Sequence, residues 1–205
     1  ARLNTLLQQR SRGTQEQSRV LGIISDFHAR WRPGRNIMDT LGDVAASARE
    51  AFGAGFYAAV IQTRGSEPWQ LVGFEADGSP GRTRLIQAPA GLVSGGDGSA
   101  NLAALSGAAR GEAGIASLSL LPWITEHLED RVDVRRLRML PLIASDEPRG
   151  PTAILLHDRE SADGLHDRGV LRALAATWSS AIVAALQHDG ARRLGEKLAA
   201  TNRDL

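Results

Sequence analysis

The chain of 205 residues contains no cysteine. This absence excludes disulfides, thiolate nucleophiles, cysteine-ligated zinc and the covalent attachment of a bilin or a c-type haem. Lys197 is the only lysine, and no Gly-Lys-Ser/Thr sequence occurs, which excludes a P-loop nucleotide site. No apolar run approaches the roughly 18 residues that a membrane span needs, and no signal peptide is visible.

The charge is almost balanced, with 24 basic and 23 acidic side chains and a net charge of +1. No global field therefore attracts nucleic acid or an anionic membrane. Hydrophobic residues make up 42% of the chain, an ordinary value for a folded protein. We expect a soluble, cytoplasmic protein. Because the sequence begins with Ala1 rather than Met, we also expect a piece of a longer chain.

Helical patterns open the chain. Apolar residues at helical spacing predict a first amphipathic helix, at Val20, Ile24, Phe27 and Trp31. A leucine-rich helical segment before this stripe is expected to break or restart near Gly13. Asn36 is predicted to cap a second helix, which Gly53 and Gly55 end.

Strand patterns follow the two helices. Short β-branched and aromatic runs predict two hairpins and a further strand, over residues 56–63 with 69–75, 135–143 with 152–157, and 83–87. Pro141 is predicted to lie at a sheet edge or a bulge. A glycine-rich insert separates the hairpins, with short helices predicted over residues 102–110 and 122–131.

A long helix is predicted from Asp167 to Leu205. Its broad apolar face narrows after Gly190 to leucines at spacings of 4 and 7, which are Leu194, Leu198 and Leu205. This narrowing is typical of a helix that leaves a core to join a two-stranded coiled coil. The alternative is a final helix that frays at its end.

Two segments carry a resemblance to a known family. The run MLPLIA at 139–144, a polar turn and GPTAILL at 150–156 resemble the paired strands of a GAF domain, and DRGVLRALAATWSSAI at 167–182 is similar to its exit helix. Asp163 stands where that family often has an aromatic residue. The resemblance implies an α+β fold with a mainly antiparallel sheet, helices on one face, and long terminal helices in a dimer bundle. A PAS-like or another small α+β sensor is the alternative fold.

GAF domains are typically sensor or dimerisation modules of bacterial signalling proteins, so the resemblance implies a regulatory input for a histidine kinase, diguanylate cyclase or phosphodiesterase, without enzyme activity of its own. We expect a linker helix over residues 1–17, the sensor over 18–188 and the start of a coiled-coil linker over 189–205. The expected partners are a second copy, bound through the terminal helices, and an unknown small molecule, with no nucleic acid and no membrane contact. A ligand-free dimerisation spacer is the competing hypothesis.

Six residues are candidates for ligand binding in a pocket roofed by the insert, namely Tyr57, Trp69, Phe74, Trp123, His127 and Arg138. Alternation along the strand places Tyr57 on the opposite face from its chain neighbours, so only part of this set is expected to line one pocket. A neutral imidazole at His127 would bind haem iron or donate a hydrogen bond to a ligand. The competing interpretations are core aromatics, a half-exposed helix histidine and, for Arg138, a solvated ion-pair surface.

The sequence lacks the motifs of several other kinds of site. The histidines have no zinc-ligand spacing, and the three His-Asp dipeptides lie at elements that are not expected to converge as a phosphohydrolase site requires. No Gly-x-Ser-x-Gly nucleophile setting occurs. The Asn-Lys…Phe…Asp-Glu signature of cyclic-nucleotide-binding GAF domains is absent as well. The sequence therefore predicts no catalytic residue and no metal, and leaves the cofactor unknown.

Overall fold

In the computed structural model the chain has an α+β fold with three long helices and an antiparallel sheet. The structure describes residues 2–53, 56–63, 68–74, 80–86, 116–117, 124, 126–128, 137–144, 152–158 and 168–203. The helices are α1 (Arg2–Arg30), α2 (Ile37–Phe52) and α3 (Arg168–Thr201). The expected α+β class is confirmed, and the predicted helices over 102–110 and most of 122–131 lie outside the described residues.

The sheet joins two hairpin units. Its strands are β1 (Tyr57–Gln62), β2 (Trp69–Phe74), β3 (Pro80–Ile86), the two-residue β4 (Ala116–Ser117), β5 (Leu137–Ala144) and β6 (Thr152–Asp158). Their order is β3-β2-β1-β6-β5-β4, and each described pair is antiparallel. Both predicted hairpins are confirmed. The register of β5 against β6 shifts between Pro141 and Ile143, which agrees with the bulge, one of the two alternatives predicted for Pro141.

The expected break near Gly13 was wrong, because helix α1 runs through this residue without interruption. A Cβ at Gly13 would meet nothing within 4 Å, so no close packing requires the glycine. A glycine in a helix interior costs about 1 kcal/mol relative to alanine. That penalty is too small to end a helix of 29 residues whose later turns are held in the core at Val20, Ile23 and Phe27.

Helix α2 begins and ends where its capping residues predict. The Asn36 side-chain oxygen accepts a hydrogen bond from the Asp39 N–H at 2.8 Å. Gly53 has a φ of +64°, and its N–H donates to the Arg49 carbonyl at 2.7 Å. A residue without Cβ adopts this left-handed conformation without strain, so Gly53 stops the helix.

The three helices cover one face of the sheet. Because successive strand residues point to opposite faces, β1, β5 and β6 each contribute to two separate buried clusters. The helix-face cluster contains Phe27, Leu41, Val44, Tyr57, Ala59, Leu140, Leu155 and Trp178, among others. The opposite-face cluster contains Ala58, Val60, Trp69, Leu71, Ile124, Leu137, Met139, Ile154 and Leu156.

Helix α3 is buried over its first half only. Its core side includes Leu174, Trp178 and Ile182, and the last buried residue is Asp189, after which residues 191–203 are exposed. Among the side chains of α1 that the structure describes, from Gly13 onward, Val20 is the first buried one. Both helices pass unbroken through the expected domain boundaries at 17/18 and 188/189, which stay predictions.

By length and composition, α3 also meets the criterion for a membrane span. An 18-residue window within Gly169–Thr201 has a mean hydropathy of 1.5, and 39% of that window is buried. One such helix is weak evidence for a span, because the core helix of a soluble protein passes the same test. The expectation that no segment comes close to this criterion was nevertheless wrong, and the cytoplasmic location stays a prediction.

Candidate functional site

Trp69 and His127 lie on the side of the sheet that faces away from the helices. Trp69 is 4% exposed and packs in the opposite-face cluster, which Ile124 also joins. The His127 N–H donates to the Ile124 carbonyl at 3.1 Å. Arg84, the register partner of Leu71, donates from Nη1 to the His127 carbonyl at 2.8 Å. The structure therefore brings His127 to the same face as Trp69.

Tyr57 and Phe74 lie on the helix face, away from Trp69. They are register partners across β1 and β2, and both pack against the helix-face cluster. The Tyr57 hydroxyl donates to the Ala48 carbonyl at 3.0 Å, and the Arg49 guanidinium carbon lies 5.4 Å from the centre of the Tyr57 ring. The six candidates therefore do not line a single pocket, as the alternation argument predicted for Tyr57.

Two further candidates are only partly placed. Arg138 stands in β5, where its register partners are His157 in β6 and Ser117 in β4, and its side chain lies outside the described part. Trp123 also lies outside the described residues. A ligand contact by either residue stays a prediction.

The helix face also holds an aromatic cluster that was not predicted from the sequence. His157 is fully buried and stacks on Phe52, with ring centres 4.7 Å apart and an angle of 11° between the planes. The Phe52 and Trp178 rings form a T-shaped pair with their centres 6.0 Å apart, and the Trp178 Nε1–H donates to Ser47 Oγ at 3.1 Å. The available signal was alternation in β6, where His157 shares a face with Ala153 and Leu155.

Two carboxylates bond backbone groups that are distant in the chain. Asp158 Oδ1 accepts from the Phe56 N–H at 2.7 Å and so fixes the entry to β1. Asp189 Oδ2 accepts from the Ile37 N–H at 3.1 Å and so joins α3 to the start of α2. Both aspartates belong to His-Asp dipeptides, and in this fold they hold the backbone of other elements.

The described residues form no metal centre. Among them, no group of three or more histidine, aspartate or glutamate side chains is arranged to hold a metal ion.

The Asp43 carboxylate, which accepts a hydrogen bond from the Arg35 guanidinium, raises the pKa of Arg35 above its ordinary value. This pair lies near the start of α2, on the helix side of the sheet.

Comparisons with known proteins identify no family. No protein-family model matches the chain, and no curated protein matches it either. Trp69, Arg84 and His127 remain the best-supported candidate site, because Trp69 packs in the opposite-face cluster and the bond from Arg84 to the His127 carbonyl lies on the same face of the sheet.

Proposed function

We propose that this chain is a regulatory sensor and dimerisation module with a GAF-like fold, within a larger cytoplasmic bacterial signalling protein. It binds a small molecule non-covalently on the Trp69 face and passes the signal along α1 and α3. The module performs no catalysis itself. The proposal rests on the GAF resemblance of the sequence and on the directions of the three helices.

The helix directions are the observation that carries the proposal. Helix α2 runs antiparallel to α3, because Ile37 meets Asp189 and Ser47 meets Trp178. Helix α1 runs antiparallel to α2, since the Arg19 guanidinium donates to the Ala51 carbonyl at 3.0 Å, at the far end of α2. Helices α1 and α3 are therefore parallel, and the chain enters at one end of the domain and leaves at the other.

A domain whose chain enters at one end and leaves at the other is suited to a position between other domains. The exposed second half of α3 presents Leu194 and Leu198, which are 60% and 59% exposed. Leucines four residues apart on an exposed helix supply the seam of a two-stranded coiled coil. In the proposed dimer, the α3 segments of two copies pair along this seam, and a small rotation of the bundle reaches the domain that follows.

The proposed ligand site lies on the opposite side of the sheet from these helices. Trp69 supplies an aromatic surface and His127 a polar group, and Trp123, next to Ile124 in the sequence, is the third candidate. Because β1 has side chains in both buried clusters, a ligand that shifts this strand on one face also shifts the packing beneath α2 and α3.

Native mass spectrometry of the purified chain, together with its ultraviolet–visible spectrum, tests the proposal. We expect a dimer that carries extra non-covalent mass or a chromophore band. The matched variants are Trp69→Ala, which is expected to lose that mass, and Tyr57→Phe on the helix face, which is expected to keep it. A monomer at micromolar concentration would contradict the dimerisation part of the proposal.

A ligand-free spacer is the second candidate function. It is favoured by the burial of Trp69 at 4% and of Ile124 at 0%, because apolar side chains already pack together on the face where a ligand would bind. A spacer predicts a dimer with no extra mass and no gain in melting temperature when candidate ligands are added. A ligand that raises the melting temperature of the wild type but not of Trp69→Ala would decide for the sensor.

A further inference from the structure

Helix α3 leaves the core at a buried carboxylate that is followed by a glycine. Asp189 is 6% exposed, whereas residues 191–203 are all exposed. A Cβ added at Gly190 would meet nothing within 4 Å. Packing therefore does not require a glycine at this position, although glycine is the poorest helix former after proline.

Asp189 ties this point of α3 to the first turn of α2. Its Oδ2 accepts from the Ile37 N–H at 3.1 Å, across 152 residues of sequence. The first N–H groups of a helix have no partner within the helix, and the N-terminal end of the helix dipole favours a negative charge. This bond therefore fixes the rotation of the core half of α3 relative to α2.

The second carboxylate oxygen of Asp189 is buried without a comparable bond. Within the described part of the chain, no donor makes a hydrogen bond to Oδ1, and the His188 Nδ1 lies 4.0 Å from it. The loop between α1 and α2 approaches the same turn, because a Cβ at Gly34 would lie 3.8 Å from the His188 Nε2. A buried carboxylate held by one bond is poorly compensated for its lost hydration, so opening that bond restores solvation.

We propose that Asp189 and Gly190 form a conformational joint in α3. With the Asp189–Ile37 bond closed, the core half and the exposed half of α3 keep one relative orientation. With the bond open, Gly190 allows the exposed half to bend, since glycine weakens the helix at this turn. The regulatory meaning of this joint rests on the proposed signalling function, whereas its existence does not.

Distance measurement within one chain tests the joint. Because the chain has no cysteine, Ala46→Cys on α2 and Ala199→Cys on the exposed half of α3 supply two unique sites for nitroxide labels. Pulsed electron paramagnetic resonance is recorded with the labelled protein diluted in unlabelled protein, so that distances between copies do not contribute. In Asp189→Ala, we expect the distance distribution to become at least twice as wide or to gain a second maximum.

The matched control is Glu196→Gln, which removes an exposed carboxylate from the same helix and is expected to leave the distribution unchanged. Equal distributions for Asp189→Ala and the wild type would overturn the joint. If Asp189→Ala does not fold, Asp189→Leu replaces it, because leucine has a similar branched shape and no acceptor for the Ile37 N–H. Hydrogen exchange at the Ile37 amide is then expected to be at least threefold faster than in the wild type, and unchanged exchange would overturn the proposal. None of these readouts depends on a ligand or on dimerisation.

Discussion

The two halves of α3 belong to one unbroken helix but differ in what surrounds them. One side of residues 170–189 packs on the sheet and on α2, with Trp178 and Ile182 fully buried. Residues 191–203 are exposed along their whole length, including Leu194 and Leu198. The first half therefore stabilises the fold, whereas the leucines of the second half gain little from burial within their own chain.

The apolar stripe of α3 therefore has a different explanation in each half of the helix. In the core half, the stripe is explained by packing within the domain, where Trp178 also bonds Ser47. In the exposed half, the described residues supply no such explanation, and contact of its leucines with a second copy of the chain is part of the proposal. The comparison can be tested by changing each half and measuring folding and association separately.

The largest expected effect is at Trp178 in the core half. Trp178→Ala should lower the free energy of unfolding by about 4 kcal/mol, since a fully buried aromatic side chain is removed from a close-packed site. Urea unfolding followed by far-ultraviolet circular dichroism measures this loss. The control Trp178→Phe keeps most of the packing and loses the bond to Ser47 Oγ, so a smaller loss is expected. A loss below about 1 kcal/mol for Trp178→Ala would contradict the core assignment.

A smaller effect is expected at Gly190, where the two halves meet. Gly190→Ala should raise the free energy of unfolding by about 1 kcal/mol, because alanine favours the helix and its Cβ meets no neighbour. Gly195→Ala is the matched control in the exposed half and should change this free energy by less than about 0.5 kcal/mol, because that half opens locally without the core. Equal gains would mean that the exposed half unfolds cooperatively with the core.

Local chemistry made several elements predictable from the sequence. The caps of α2 depend on Asn36 and Gly53, whose conformational preferences are set within a few residues, and both were predicted. An irregularity at Pro141, either a sheet edge or a bulge, was predicted because proline cannot donate to a strand ladder, and the register shifts beside it. The expected break at Gly13 was wrong because a weak local preference was outweighed by the rest of a long helix.

The candidate site was less predictable because it depends on register and on distant contacts. Alternation alone separated Tyr57 from its chain neighbours, but only the pairing of Tyr57 with Phe74 places both on the helix face. No local pattern relates Asp189 to Ile37, which is 152 residues away. His127 lies on the Trp69 face, where its backbone carbonyl accepts a hydrogen bond from the Arg84 guanidinium. No residue spacing in the sequence indicates this contact.

The smallest expected effect on folding, and the most specific for function, is in the exposed half of α3. The double variant Leu194→Ser/Leu198→Ser should change the free energy of unfolding of the monomer by no more than about 0.5 kcal/mol, since both side chains are already mostly in water. If these leucines form the seam between two copies, the same variant should weaken dimerisation at least tenfold in sedimentation equilibrium.

Leu85 on β3 provides the matched control, because it is 67% exposed and lies outside the terminal helices. Leu85→Ser should leave the dimerisation constant unchanged. An equal weakening by Leu85→Ser would assign association to general surface hydrophobicity rather than to the α3 seam. A dimer that persists unchanged in the double variant would place the interface elsewhere, and the exposed leucines would then be ordinary surface residues of a long helix.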